Sequence, residues 1–155
     1  MKTSKIILLV EDDPNDRFLF TRAAQKAGIT DPVQSASDGQ EAIDYLTGSG
    51  PFSDRLRYPL PDLVVLDLKL PLATGFEVLS AARQHPVTRH VPVVMLTSSQ
   101  SEADITQAHA LGANAYLVKP PSPEELLNLV RSIKDFWLAQ NRSPKLGVHS
   151  APASH

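Results

Sequence analysis

No cysteine occurs in the 155 residues, so the chain can form neither a disulfide framework nor a thiolate metal site, a composition that fits a reducing cytoplasm. An excess of one charge is also missing. Fifteen Lys and Arg against 17 Asp and Glu leave a formal net charge of −2, with the signs intermixed. Without a basic stripe, nucleic-acid binding has no electrostatic footprint, and no DNA-binding output module is expected. Long hydrophobic runs are lacking as well. Lys2, Lys5 and Ile6 to Val10 have the outline of a signal peptide, but five apolar residues followed by Glu11-Asp12-Asp13 are too few for its apolar region. No membrane contact is expected, and a cytoplasmic protein is. The length suits one domain that can bury a real core.

What is present centres on Leu63-Val64-Val65-Leu66-Asp67, four apolar residues closed by a carboxylate, with Lys69, Pro71 and Gly75 behind it. Such a run suits a strand covered on both faces, with Asp67 at its open carboxyl end. In an open parallel sheet that edge is where ligands bind. A strand-ending Asp that merely caps the next turn is the plainer alternative.

Ile6 to Val10 is a second apolar strand ending in acid. Asp13 reads as an N-cap with Pro14 at the first helical position, and the apolar spacing of Leu19, Phe20, Ala23, Ala24 and Ala27 carries a helix to Gly28. Val33 to Ala36 is a weaker strand. Asp38-Gly-Gln-Glu41 has the pattern of a capping box and opens a helix ending near Gly48. Residues 48–62 carry three prolines and no clear period, which marks an insertion loop. It leads into the base of the Asp67 strand, opposite the acids, so partner contact or packing is expected of it. Its Ser-Gly start lacks the strand before and helix after that phosphate binding needs. A helix from Gly75 turns Phe76, Leu79 and Ala82 to one face, Val91 to Leu96 is a strand ending at Thr97-Ser98, and Ser101 to Asp104 opens a helix closed by Gly112. Ala115 to Val118 is the fifth strand. Ser122-Pro123-Glu124-Glu125 then opens the strongest helix, reaching about Gln140. These elements are expected to form one domain over 1–140, and 141–155, rich in Ser, Pro, Ala and His, reads as a disordered tail whose His149 and His155 are not ligands.

Five alternations of strand and helix imply a parallel sheet with helices on both faces. The unusual polar residues all fall at strand carboxyl ends: Glu11 and Asp12, Asp67, Thr97 and Ser98, Lys119. In a doubly wound sheet of order 2-1-3-4-5 the first and third strands meet at the switch point, so Glu11, Asp12 and Asp67 converge. Crowded carboxylates repel, and a hard divalent cation, Mg²⁺ above all, relieves them. A carboxylate can also act as a nucleophile toward phosphorus while a cation, a lysine and a hydroxyl hold the phosphoryl oxygens.

Val10-Glu11-Asp12-Asp13, Leu66-Asp67-Leu68-Lys69-Leu70-Pro71 with Gly75, Leu96-Thr97-Ser98 and Lys119-Pro120 together resemble the receiver domain of two-component response regulators over about residues 4 to 140. The resemblance implies a flavodoxin-like five-stranded fold in which Asp67 accepts phosphate from a histidine kinase. It implies Mg²⁺ held directly by Asp12 and Asp67, partly through water by Glu11, and by the Lys69 backbone carbonyl. Thr97 would turn toward the phosphate, Tyr116 would follow as a rotating aromatic, and Pro120 would follow a cis bond. The insertion and the lack of an effector resemble small stand-alone receivers that partner phytochrome-type kinases. Activity beyond self-phosphorylation from small donors and self-dephosphorylation is not expected, so the protein would be no enzyme in the usual sense. A phosphorelay intermediate, a phosphate sink and a phosphorylation-independent interaction module are the alternatives.

A phosphatase of the haloacid-dehalogenase kind would need a second Asp two residues after Asp67, where Lys69 stands. A flavodoxin-like cofactor binder would need a phosphate-cradling loop where the chain is acidic. Tyr116 stays open between half-buried core residue and switch, and Asp13, Asp16 and Asp62 read as caps or solvated charges. The last helix has more apolar residues than one stripe requires. Leu126, Val130, Ile133 and Trp137 follow an inward spacing, which leaves Leu129 and Phe136 on the adjoining face as the expected surface of a homodimer.

Overall fold

The computed structural model describes residues 5–140; the expected tail at 141–155 lies outside the described residues. Strands β1 (Ile7–Val10), β2 (Gln34–Ala36), β3 (Leu63–Leu66), β4 (Val93–Thr97) and β5 (Ala115–Val118) alternate with helices α1 (Pro14–Lys26), α2 (Gly39–Thr47), α3 (Gly75–Gln84), α4 (Glu102–Ala110) and α5 (Pro123–Ile133). The sheet is parallel throughout, in the order β2-β1-β3-β4-β5. This is the flavodoxin-like arrangement, with its switch point between β1 and β3. Among the described residues, no helix is long and apolar enough to cross a membrane.

Successive strand residues point to opposite faces, so the sheet feeds two cores. Leu8, Val10, Val64, Leu66, Val93 and Met95 pack with buried residues of α2, α3 and α4. Ile7, Leu9, Leu63, Val65, Val94 and Leu96 pack with Phe20, Ala23 and Ala24 of α1 and Val130 and Ile133 of α5. The all-apolar runs are what a strand buried on both sides demands. Glu11 and Asp67 continue the second phase, toward α1 and α5.

Asp13 caps α1, its side chain accepting the amides of Asn15 at 2.8 Å and Asp16 at 3.3 Å. At α2, Asp38 accepts the Glu41 amide at 2.7 Å, but Glu41 reaches back to the Ser37 amide instead of closing a box with Asp38. A full reciprocal box stands at Thr74 and Glu77, at the start of α3. The insertion folds back on its own helix. The rings of Tyr45, Phe52 and Tyr58 lie 4.9 to 5.9 Å apart, and Arg55 donates to the carbonyls of Tyr45 and Leu46, the last turn of α2. Of the two roles expected for residues 48–62, packing is the one the structure displays.

Two expectations need correction. The Lys119–Pro120 bond is trans, since no cis bond occurs in the described chain; trans is the form favoured by about 0.5–1 kcal/mol for a peptide bond before proline. The inward stripe of the last helix also differs. After Ile133 the helix widens into π-helical turns over Lys134–Gln140, so the inward position passes from Ile133 to Leu138, five residues on. Trp137 is left half-buried beside that core and Leu129 packs against it, whereas Phe136 is 54% exposed.

The loop after β3 is clamped by backbone. Pro71 O accepts the Gly39 amide at 3.1 Å and Leu68 O accepts the Gly75 amide at 2.8 Å. Between them Leu72 holds φ at 71°, an outlying conformation for a bulky residue. A Cβ on Gly75 would overlap Asp67 O and lie 2.7 Å from Leu68 Cα. Alanine ordinarily favours a helix over glycine by about 0.5–1 kcal/mol, but overpacking against backbone costs about 1–3 kcal/mol. Gly75→Ala is therefore expected to lower the urea midpoint, and a raised midpoint would show that the loop yields freely.

Candidate functional site

Register delivers the acids together. Val10 pairs with Leu66, so Glu11 and Asp67 leave the sheet side by side, and Asp67 N donates to Val10 O at 3.1 Å. One carboxylate oxygen each from Glu11, Asp12 and Asp67 lies within 4.8 Å of the others. Glu11 and Asp67 are buried while Asp12 is exposed. Asp67 Oδ1 accepts the Leu68 amide at 2.7 Å, and Oδ2 accepts from Lys119 Nζ at 2.8 Å. Glu11 accepts the Asp13 amide at 3.0 Å and pairs with Lys119 at 2.7 Å.

Lys119 reaches this point because β5 ends beside β4, where its backbone amide donates to Thr97 O at 2.9 Å. A third carboxylate, that of Asp16, lies 2.8 Å from its ammonium. Asp16 read from the sequence as a cap or solvated charge. Its signal was available: it sits in the first turn of a helix that begins three residues after the acidic strand end, on the face turned to the switch point. Asp13 is the cap it was expected to be, and Asp62 accepts the Ile6 amide at 2.7 Å, at the far end of the sheet.

Crowding shows in the protonation of the cluster. Burial pushes Glu11 up to about 7, because one ammonium shared among three carboxylates and the Asp13 amide pull it back by less, and the charge of Asp67 adds to the rise. Burial pulls Lys119 down, but its hydrogen bonds to Asp16, Asp67 and Glu11 outweigh that and hold it above the ordinary lysine value. Three close carboxylates, two of them buried, form an all-oxygen donor set suited to a hard divalent cation. Asp12 and Lys69 line an open cleft on the side away from α1, with Leu68, Pro71, Thr74 and Asp104.

Thr97 is buried at the end of β4, and its hydroxyl accepts the Ser99 amide at 3.4 Å. Tyr116, half-buried, donates to Ser99 O at 2.9 Å, and Ser99 Oγ donates to Asp104 at 2.6 Å. The loop after β4 is thus tied to β5 on one side and α4 on the other. Glu11, Asp12, Asp67 and Lys119 come together as the sequence indicated, Thr97 stands at the next strand end, and Tyr116 touches that strand's loop rather than the carboxylates.

Comparison with known proteins agrees with this arrangement. The family model described as the response regulator receiver domain matches residues 7–131. The probable methanogenesis regulatory protein FilR2 of Methanothrix harundinacea is 42% identical over 142 residues, 90% of this chain and 87% of that protein. The response regulator Rcp1 of Synechocystis is 36% identical over 86% of this chain and 89% of its own length. Rcp1 has been solved in a Mn²⁺-bound form, which superposes with a TM-score of 0.81 at 35% identity over 91% of this chain and 99% of that one. The phosphorylated cyanobacterial phytochrome response regulator RcpA superposes with a TM-score of 0.85 at 34% identity, covering 92% of this chain and 100% of that one. Sheet order, acids at the switch point, the lysine that faces them and the family match lead to one conclusion: the chain belongs to the response regulator receiver domain family.

Proposed function

We propose that the protein is a cytoplasmic, single-domain response regulator that accepts a phosphoryl group from a histidine kinase on Asp67 and signals through phosphorylation-dependent partner binding or dimerisation. The observation that carries this reading is a buried aspartate at a strand end, bonded to Lys119 and flanked by Glu11 and Asp12. One carboxylate oxygen of Asp67 attacks phosphorus; the bond from phosphorus to the donor's imidazole nitrogen breaks, its electron pair stays on that nitrogen, and an acyl phosphate remains on Asp67. Lys119 supplies positive charge to a phosphoryl oxygen, and the Thr97 hydroxyl reaches another once its loop turns inward. Mg²⁺, held by Asp12, Asp67, Glu11 and the Lys69 carbonyl, would offset the negative charge of the site and the incoming group. With small donors the same groups would act without a kinase, and no separate substrate is turned over.

Similarity to Rcp1 and to the phytochrome response regulator RcpA supports a phytochrome-type kinase as donor. FilR2, at higher identity, is named for the regulation of methanogenesis rather than for a phytochrome. The exposed Phe136, stacked edge-on against Trp137 at 4.8 Å, supports the last helix as a homodimer surface.

Intact-mass measurement after incubation with acetyl phosphate and Mg²⁺ is expected to show one added phosphoryl group, absent in Asp67→Asn; the same gain in that variant would refute the acceptor.

Glu11 ties metal binding to pH. A carboxyl raised to about 7 in the native apoprotein keeps its proton below that pH, and ionising it costs stability as pH rises through 7. A cation needs the ionised form. Mg²⁺ affinity, followed calorimetrically, should therefore climb by up to about tenfold per unit toward pH 7 and level off above it. Glu11→Gln should bind more weakly and with a flatter profile; a flat wild-type profile from pH 5.5 to 8 would contradict the shift.

Sedimentation of wild type and Phe136→Asp at tens of micromolar, each with and without phosphorylation, tests the surface. Dimers confined to the wild type are expected, and a variant that dimerises undisturbed would remove Phe136 from the interface.

A further inference from the structure

The Lys119 ammonium has three hydrogens, and three carboxylates surround it: Glu11 at 2.7 Å, Asp16 at 2.8 Å and Asp67 at 2.8 Å. No donor is left over for a phosphoryl oxygen. Capture of that group on Asp67 requires one of these bonds to give way. The Glu11 and Asp67 side chains are 5% and 9% exposed, so losing the ammonium costs either of them more than it costs a solvent-exposed partner. Asp16 is 35% exposed, and water can replace what it gives up. It is the partner that yields at least cost.

Its place is nonetheless fixed. Asp13 accepts the Asp16 amide in the first turn of α1, and Arg17 Nη1, one residue on, donates to Glu11 O at 2.8 Å. The backbone under Asp16 is therefore pinned to the strand end that supplies the acids. Even after Lys119 turns away, a carboxylate remains at the mouth of the site, on the α1 side and across from the cleft lined by Asp12 and Lys69.

We propose that Asp16 is a positioning residue for Lys119: a solvent-facing counter-ion that holds the ammonium in readiness, must release it for phosphoryl capture, and so acts as a brake on that step while favouring the cation. The proposal rests on Asp67 being the phosphoacceptor. Its signature is a pair of effects with opposite sign. Removing the Asp16 charge frees Lys119 and lessens repulsion of an incoming phosphoryl anion, which speeds capture. The same change removes an attraction for the divalent cation, which weakens the metal. Loss of a purely structural contact would let Lys119 wander and slow capture instead.

The test uses the full chain as wild type, Asp16→Asn and Asp16→Glu at low ionic strength. Mg²⁺ affinity is measured by calorimetry without any phosphodonor, and the initial rate of phosphoryl uptake from acetyl phosphate at saturating Mg²⁺ by intact mass. Asp16→Asn should take up phosphoryl about three- to tenfold faster and bind Mg²⁺ more weakly by a similar factor, the size of one charge removed from a partly exposed site. Asp16→Glu should stay near wild type in both, and added salt should shrink both differences. Uptake by Asp16→Asn that is unchanged or slower overturns the brake, as does acceleration shared by Asp16→Glu. If the wild type takes up no phosphoryl group at all, the phosphoacceptor reading falls and the brake with it. The calorimetry then decides the counter-ion role separately, and an unchanged Mg²⁺ affinity in Asp16→Asn overturns that too.

Discussion

The ammonium of Lys119 is the interaction on which the functional end of the molecule depends. Glu11 and Asp67 are carboxylates at the end of a sheet whose interior is hydrocarbon, and neither could stay there ionised without a cation. Lys119 arrives from the opposite edge of the sheet and satisfies both, with Asp16 as a third claimant. The arrangement is short of positive charge by design of its geometry. Burial leaves Glu11 holding its proton to about pH 7, since one ammonium shared among three carboxylates offsets it only in part, and a cation would take the place of that proton. The metal affinity and phosphoryl chemistry proposed for the site would then share a cause. Both follow from negative charge that the fold concentrates and only partly neutralises.

Concentrating it is the work of the sheet. Glu11 and Asp67 share a level because Val10 is paired with Leu66, and a slip of one residue would have turned the acid side chains to the other face. These features were legible because they rest on short-range rules. Apolar runs ended by acids define buried strands, and alternation with helices defines a parallel sheet. Asp13-Pro14 and Ser122-Pro123 mark helix starts that the structure confirms. What the sequence did not disclose rests on side chains meeting across the fold. Asp16 could be assigned to a face of α1, but that it touches Lys119, 103 residues away, depends on how α1 lies on the sheet. The pairing of Arg55 with the end of α2, which gives the insertion its packing role, was hidden for the same reason. The widening of the last helix after Ile133 was hidden too, since π-helical turns carry no signal in apolar spacing that a regular helix would not also fit.

Two routes lead away from the site. Thr97 opens the first: its loop is held by Tyr116 through Ser99 O and by Asp104 through Ser99 Oγ, so inward motion of Thr97 must strain or break bonds to β5 and α4. The second runs through Lys119, whose strand end leads directly into α5, which packs against α1 and carries Phe136 on its continuation. Asp16 lies on α1, so its bond to Lys119 joins the two helices at the end nearest the chemistry.

Energetics decide how many of these links a phosphoryl group must engage. A hydrogen bond to a charged group contributes about 1.5–3 kcal/mol, whereas moving an equilibrium from 1:99 to 99:1 takes about 5.5 kcal/mol of differential interaction. A single bond from Thr97 falls short of that. Adding the transfer of Lys119 from a carboxylate to the phosphoryl group closes much of the gap, provided the bond surrendered is the solvent-exposed one to Asp16. Giving up Glu11 or Asp67 would cancel the gain, because a buried partner left behind costs as much as the new bond returns. The exposed position of Asp16 therefore bears on more than the rate of capture. On the proposed mechanism it would set whether phosphorylation releases enough free energy at Lys119 to be felt at the β4 loop and the last helix.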